Sequence, residues 1–363
     1  MKKKILFTAQ NFYIGGVQTS LINLLKFLSE EQEYDIDLFT FAKGELLSQI
    51  PDNINVFYAD KVLGLAATPF MNVLAEKNPV NILLRVFLII FTKLAGSDRF
   101  YRWALSRQQK FSGYDVAVSY FDDVPGCLFN KGANLFVSDF VECKERVAWV
   151  HNDPIKCGYS REHCYRTYKS FDKIICVSQA VKENLIKMLP EYEDKMSVCY
   201  NRVPKNEIEK AAQEYVPFNS DKFNIVTVCR IDNKQKRINE IVRLCRRLKD
   251  ENINNFTWRI VGDGPDLKEN ISLSQELGVG DVLEFSGQKV NPYPYIKHSD
   301  LFALYSAYEG YPMVVEEARV FNKFIITTNY AAAKEQISPD CGVVCDSDDA
   351  FFDALKDILK QER

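Results

Sequence analysis

Two glutamates, Glu309 and Glu317, stand with seven residues between them, and Pro312 lies inside that interval. Proline suits the first position of a helix, where its missing N–H leaves no hydrogen bond unmade. Glu309, Gly310 and Tyr311 then belong to the loop before a helix, and Glu317 lies roughly 7–8 Å along its axis. The N–H groups of Met313 and Val314 at the helix start favour an anion. Carboxylates accept hydrogen bonds from pairs of sugar hydroxyls. A loop carboxylate, an anion-binding helix end and a second carboxylate along one groove would hold a phosphorylated sugar at both ends. The neighbouring Glu316 is expected to face solvent.

A second constellation is cationic. Arg230, Lys234, Lys236 and Arg237 fall between an apolar run and a helical segment. Two fixed cations there would neutralise a diphosphate leaving group, a task otherwise given to a divalent metal. Lys234 competes with Lys236 for the second position. His151 closes the apolar run 147–150, a position that suits a packed residue as well as one facing a ligand. Gly15 and Gly16 follow the first apolar run, where glycine permits a tight turn or close approach to a phosphate or acceptor. Candidate metal ligands fare poorly. His151, Cys157, His163 and Cys164 have no familiar zinc spacing. Asp346 and Asp348 read as the cap of a helix over 350–359, and Asp35 and Asp37 straddle an apolar run. No divalent metal or other cofactor is expected.

The elements that would position these residues alternate strand and helix periods, the mark of parallel α/β architecture. Strands are predicted over 4–9, 36–41, 54–58, 116–120, 147–150, 173–177 and 196–200, with a helix over 17–29. The polar stretch 206–221, carrying Pro217, reads as a hinge. A second series follows, with strands over 223–229, 257–261, 283–286, 301–304 and 324–327 and a basic helix over 238–250. Two Rossmann-like domains result, 1–205 and 206–363, each with a ligand crevice at its strand ends.

Composition agrees with that size. The chain has 363 residues, 47% apolar and 26% charged, with a net charge of −3. It is too long for one ordinary core, and no strong field points to a nucleic-acid partner. Ten cysteines at irregular spacing suit free thiols in a reducing cytosol rather than a disulfide scaffold. The N-terminal run is too short and too soon polar for a signal sequence, so it reads as a strand. The run 82–94 contains Arg85 and Lys93 and is too short to span a bilayer. Between Lys61 and Lys110, however, eight cations face only Glu76 and Asp98. On a helix Lys77, Asn81 and Arg85 would form a basic stripe, with apolar residues elsewhere. The insert 61–112 therefore reads either as an in-plane contact with an anionic membrane or lipid-linked acceptor, made through 77–110, or as a helix packed on its own domain.

The spacing of Glu309 and Glu317 after an aromatic-rich strand end resembles the Glu-x7-Glu motif of retaining glycosyltransferases of family 4. The resemblance spans most of the chain and is densest from Val226 to Cys345. It implies the GT-B fold, with Glu309 on the donor sugar and Glu317 on the nucleotide ribose. Arg230 and Lys236 match the family's diphosphate-binding pair, with Arg237 where a glycine is usual. His151 matches a histidine beside the donor sugar that positions it rather than acting as base. Asn11, Gly15 and Gly16 match the first loop, which faces acceptor and diphosphate. Gly262 matches a further family loop, and residues near Val290 usually hold the nucleobase. The family often ends in a helix returning to the first domain, for which the stretch after Lys360 is short. The implied activity is retaining transfer from a nucleotide diphosphate sugar, a UDP-sugar favoured, to a glycan or lipid-linked acceptor in bacterial surface polysaccharide synthesis. The site would form between the domains on closure, at the inner face of the membrane. A nucleotide-sugar epimerase and a non-catalytic sugar-nucleotide-binding subunit are the rival readings.

Overall fold

The computed structural model describes residues 2–129, 131–218 and 221–361, and the chain divides into two compact units, Met1–Arg202 and Val203–Arg363. Residues 219 and 220 of the expected hinge lie outside the described residues.

The first unit is built on seven strands, β1 (Lys3–Ala9), β2 (Tyr34–Thr40), β3 (Asn55–Tyr58), β4 (Phe111–Ser119), β5 (Val141–Val150), β6 (Lys173–Cys176) and β7 (Met196–Val198). They form one parallel sheet in the order β3-β2-β1-β4-β5-β6-β7. Parallel strands are covered on both faces, which is why β1 and β2 read as near-continuous apolar runs. Ile5 lies between Ile36 and Val116 in register, and all three are buried. The helix Gly16–Glu30 crosses back from β1 and buries Leu21, Ile22 and Leu25 against this core. Each such side chain contributes roughly 1.5–3 kcal/mol on burial.

The second unit contains β8 (Phe223–Val228), β9 (Phe256–Val261), β10 (Leu283–Gly287), β11 (Leu301–Leu304), β12 (Phe324–Thr328) and β13 (Gly342–Cys345). Their order is β10-β9-β8-β11-β12-β13, again parallel. The helix Ile238–Asp250 shows how sequence period becomes packing. Ile241, Val242, Leu244, Cys245 and Leu248 are buried, while Arg243 and Arg246 remain outside in ion pairs. Each sheet reverses its direction of growth once, between β1 and β4 and between β8 and β11. Such switch points leave a crevice at the carboxyl ends of the strands, because the connecting helices leave to opposite faces.

The stretch between β3 and β4 departs from expectation. It is four helices, Lys61–Ala67, Phe70–Ala75, Pro79–Ala95 and Ser97–Ser106. The predicted basic stripe does not exist. Lys77 sits in the turn before the third helix with φ +52°, and Asn81 is bonded to Glu76. Arg85 is buried, with its guanidinium 3.9 Å from the centre of the Phe129 ring. Burial pulls that guanidinium down to about 10. Among the described residues no single helix is long and apolar enough to cross a membrane. All ten cysteines are free thiols.

Candidate functional site

In the second unit the predicted residues cluster where β8 and β11 diverge. After β8 the chain turns through Arg230 and Ile231 into a short helix, Asn233–Lys236, capped by Asp232, whose Oδ1 accepts from the Lys234 and Gln235 N–H groups at 3.0 and 3.3 Å. Arg237 follows with φ +50°, in the left-handed region that favours glycine. The conformation is held from outside. Its guanidinium donates to both Asp348 oxygens, at 2.9 and 2.6 Å, and lies 4.7 Å from the Tyr305 ring centre.

The turn therefore aims Lys236 inward, while Lys234 and Arg230 remain exposed. Lys236 Nζ donates to Glu309 Oε1. Gln235 Nε2 donates to Glu309 Oε2 and to the Tyr308 carbonyl, both at 3.3 Å. The Ala307 N–H donates to the Gln235 carbonyl at 2.7 Å. The loops after β8 and β11 are thus joined at the switch point, with Glu309 buried between them. Arg230 Nη2 has Asp232 at 4.0 Å, at the limit of an ion pair, so this guanidinium is open to a ligand.

Beyond Glu309, the buried Gly310 and the half-buried Tyr311 lead to Pro312, which is the N-cap of the helix Met313–Val320 rather than its first residue. The Val315 N–H closes on the Pro312 carbonyl at 3.2 Å, and the N–H groups of Met313 and Val314 come too early for an intrahelical acceptor. The Met313 side chain is buried and Val314 packs on the apolar cluster of β11 and β12, so a ligand could use only their backbone. Glu317 is buried on this helix, and desolvation raises its carboxyl to about 7. Glu316 corrects the sequence reading. It is held by Arg319 and by the Gln336 amide at 3.1 Å, not free in solvent.

Gly262 is a position that admits no side chain. A Cβ there would lie 1.8 Å from the Cys229 carbonyl oxygen, and one at Gly264 would lie 2.1 Å from that of Ile231. The loops after β8 and β9 therefore run in backbone contact. Val290, after β10, is exposed and lines a surface cavity of about 410 Å³ with Tyr215, Lys289 and Tyr295. Asp346 and Asp348 are separately engaged, by Asn329 and Arg237, and the helix Asp348–Gln361 is capped by Ser347, whose hydroxyl accepts from the Ala350 N–H, not by either aspartate. Among the described residues no three His, Cys, Asp or Glu side chains are grouped to hold a metal ion.

In the first unit the predicted residues lie at the ends of β1 and β5. Asn11 is buried, its Oδ1 accepting from Gln18 Nε2 at 2.8 Å and from the Tyr13 N–H at 3.3 Å. Gly15 is the N-cap of the helix that Gly16 begins, in an extended conformation open to any residue. His151 is buried, 4.6 Å from the Tyr120 ring centre, and burial lowers its imidazole to about 3. Burial keeps the ring neutral, and its Nε2 is buried with no hydrogen-bond partner.

Two supporting residues were missed in the sequence. Gln235 was passed over between two lysines. Asp122 fixes the histidine turn, with Oδ2 accepting from the His151 N–H, the Asn152 N–H and the Asn152 amide at 3.0, 3.0 and 2.7 Å. Burial raises that carboxyl to about 7. Its signal was a paired aspartate directly after a buried strand.

Known proteins are similar to this chain in sequence and in fold. Residues 209–363 match the family Glycosyl transferases group 1. An N-acetylgalactosamine-N,N'-diacetylbacillosaminyl-diphospho-undecaprenol 4-alpha-N-acetylgalactosaminyltransferase of Campylobacter jejuni is 26% identical over 200 residues, covering 54% of this chain and 53% of its own. An uncharacterized glycosyltransferase of Methanocaldococcus jannaschii is 25% identical over 241 residues, 61% and 57% of the two chains. The chain thus spans little more than half the length of these curated relatives. The structure of Anabaena HepE in complex with UDP-glucose superposes with a TM-score of 0.66 at 19% identity, covering 99% of this chain and 89% of that one. Residues 209–363 are thus similar to the group 1 glycosyl transferases, and the chain's two parallel α/β units have the GT-B fold.

Proposed function

We propose that the protein is a retaining glycosyltransferase that takes a sugar from a nucleotide diphosphate donor, a UDP-sugar favoured, and delivers it to a glycan or lipid-linked acceptor in surface polysaccharide synthesis at the cytoplasmic face of the membrane. The observation that carries this reading is the junction of Lys236, Gln235 and Glu309 where the β8 and β11 loops meet. A donor phosphate arriving there would compete for the Lys236 ammonium and free the Glu309 carboxylate to accept from sugar hydroxyls. Arg230 and the N–H groups of Met313 and Val314 supply further positive potential for the departing diphosphate, and Glu317 accepts from the ribose. The cavity beside Val290 suits the base.

In the reaction the bond from the anomeric carbon to the diphosphate oxygen breaks, and a bond to the acceptor oxygen forms on the same face. The acceptor proton passes to the leaving phosphate. His151, neutral and fixed by Asp122, positions the sugar and is too weak a base to take that proton. Fixed cations and free amides replace a divalent metal. The likeness to a UDP-glucose-bound protein and to a transferase acting on a diphospho-undecaprenol substrate supports the donor and acceptor classes.

The test is turnover by the purified chain, with UDP-, GDP- and ADP-sugars screened first by thermal shift. Release of nucleoside diphosphate, insensitive to a chelator, is expected. Activity lost with chelator and restored by magnesium or manganese would refute the metal-free reading. Isomerised sugar without acceptor would indicate an epimerase, and binding without any release a non-catalytic subunit. Glu309→Ala is expected to lower transfer at least about a hundredfold while nucleoside diphosphate affinity stays within about threefold.

A further inference from the structure

The helix Pro79–Ala95 is turned inside out. Its buried positions are Arg85, Leu88 and Thr92, whereas Val80, Leu83, Phe87, Ile90, Phe91 and Leu94 face outward. The outward residues recur at helical spacing and make one apolar stripe along about 21 Å of helix. Leu94 is 84% exposed, Leu83 71% and Phe87 59%. Met71 and Trp103, from the flanking helices, are exposed as well. Scattered exposed apolar residues are ordinary, but a contiguous patch marks an interaction surface.

The orientation is fixed. Arg85 is tucked beneath the helix, with Nη2 donating to the Thr68 carbonyl at 3.4 Å and its guanidinium over the Phe129 ring. Rotating the helix to hide the stripe would pull this cation out of its seat.

Charge selects the occupant. Lys77, Lys93 and Arg99 are exposed on this stretch, whose only acids are Glu76 and Asp98, while the exposed Arg102 and Arg107 are paired with Asp139 and Asp60 at 2.6 and 3.7 Å, in a chain of net charge −3. A second copy docked face to face would set two such cationic rims against each other. An anionic phospholipid surface offers both the opposite charge and an apolar layer. We infer that this face seats in an anionic lipid surface, the helix lying in the plane of the interface with its stripe at the acyl boundary. It does not span. The next helix, Ser97–Ser106, bends away by 119° and buries Phe100, Tyr101, Ala104 and Leu105 in its own unit. The seating does not depend on the transfer chemistry and is tested without it.

The full chain is sedimented with vesicles of phosphatidylcholine alone and with about 30 mol % phosphatidylglycerol added. Binding to the anionic vesicles is expected, weakened at least about tenfold by Leu83→Ser, Phe87→Ser and Leu94→Ser together. Lys77→Glu, Lys93→Glu and Arg99→Glu together should remove the preference for anionic lipid. In the unsubstituted chain, brominated acyl chains should quench Trp103, which is exposed whereas Trp149 is half-buried and Trp258 buried. The inference is overturned if the chain stays in the supernatant, if the serine variant binds equally well, or if light scattering shows a dimer that the serine changes dissolve while no vesicle binding occurs.

Discussion

Glu317→Gln provides a test that needs no substrate. The Glu317 carboxyl is fully desolvated on the helix Met313–Val320 and titrates at about 7 instead of 4.5. A carboxyl raised in the folded state binds its proton more tightly there than in the unfolded chain. Folding stability therefore falls as pH rises from about 4.5 to about 7 and is level above that. Moving a carboxyl over that range corresponds to about 3 kcal/mol. A glutamine at this position has nothing to titrate, so the variant should gain on the parent as pH rises, by up to about 3 kcal/mol between pH 4.5 and pH 8. Any fixed difference in packing or hydrogen bonding between amide and carboxyl cancels in this comparison. For a domain of this size each kcal/mol moves Tm roughly 2–4 °C, so the gap should widen by on the order of 10 °C at most. Thermal unfolding of both chains at pH 5, 6, 7 and 8 measures it. A difference in Tm that stays constant with pH would refute the assignment of a desolvated carboxyl, and with it the idea that this group gains its partners from a bound ribose.

Arg230→Ala should leave Tm within about 1 °C, because the side chain is exposed, yet weaken nucleoside diphosphate binding about tenfold by calorimetry. Asp122→Ala removes the acceptor of three N–H groups and should lower stability by about 2–3 kcal/mol in denaturant titration. Asp122→Asn keeps one acceptor oxygen and should recover much of that loss. Asp348→Asn breaks the bidentate pair that holds Arg237, and should cost about 1 kcal/mol while lowering donor affinity through the displaced loop. If Asp348→Asn changes stability but not affinity, the pair serves packing alone.

The alternating strands and helices were legible because parallel strands covered on both faces leave unbroken apolar runs, as in β1, β8 and β11. The types and spacing of Glu309, Glu317, Arg230 and Lys236 were equally visible. Their mutual arrangement was not. Nothing in the primary structure says that Lys236 will turn onto Glu309, a residue 73 positions away, because that contact depends on the Arg237 backbone and its outside support. The basic stripe failed for a related reason. The helix Pro79–Ala95 is apolar nearly all round, so its pattern contains little contrast to say which side meets the core, and two of its few polar residues, Arg85 and Thr92, lie on the buried side. Glu316 was misjudged because Gln336, which holds it, comes from a different element.

The tie between Arg237 and Asp348 has a consequence for motion. Asp348 begins the final helix, Asp348–Gln361, and Phe351 on that helix closes edge-on against Tyr305 at 4.6 Å, beneath the same guanidinium. The turn that delivers Lys236 is thereby moored to the last element of the second unit. Amide hydrogen exchange should show the two segments losing protection together as denaturant is added, even though more than a hundred residues separate them along the chain. Shortening the chain from that end would then loosen a loop on the far side of the sequence before it disturbed the strands between.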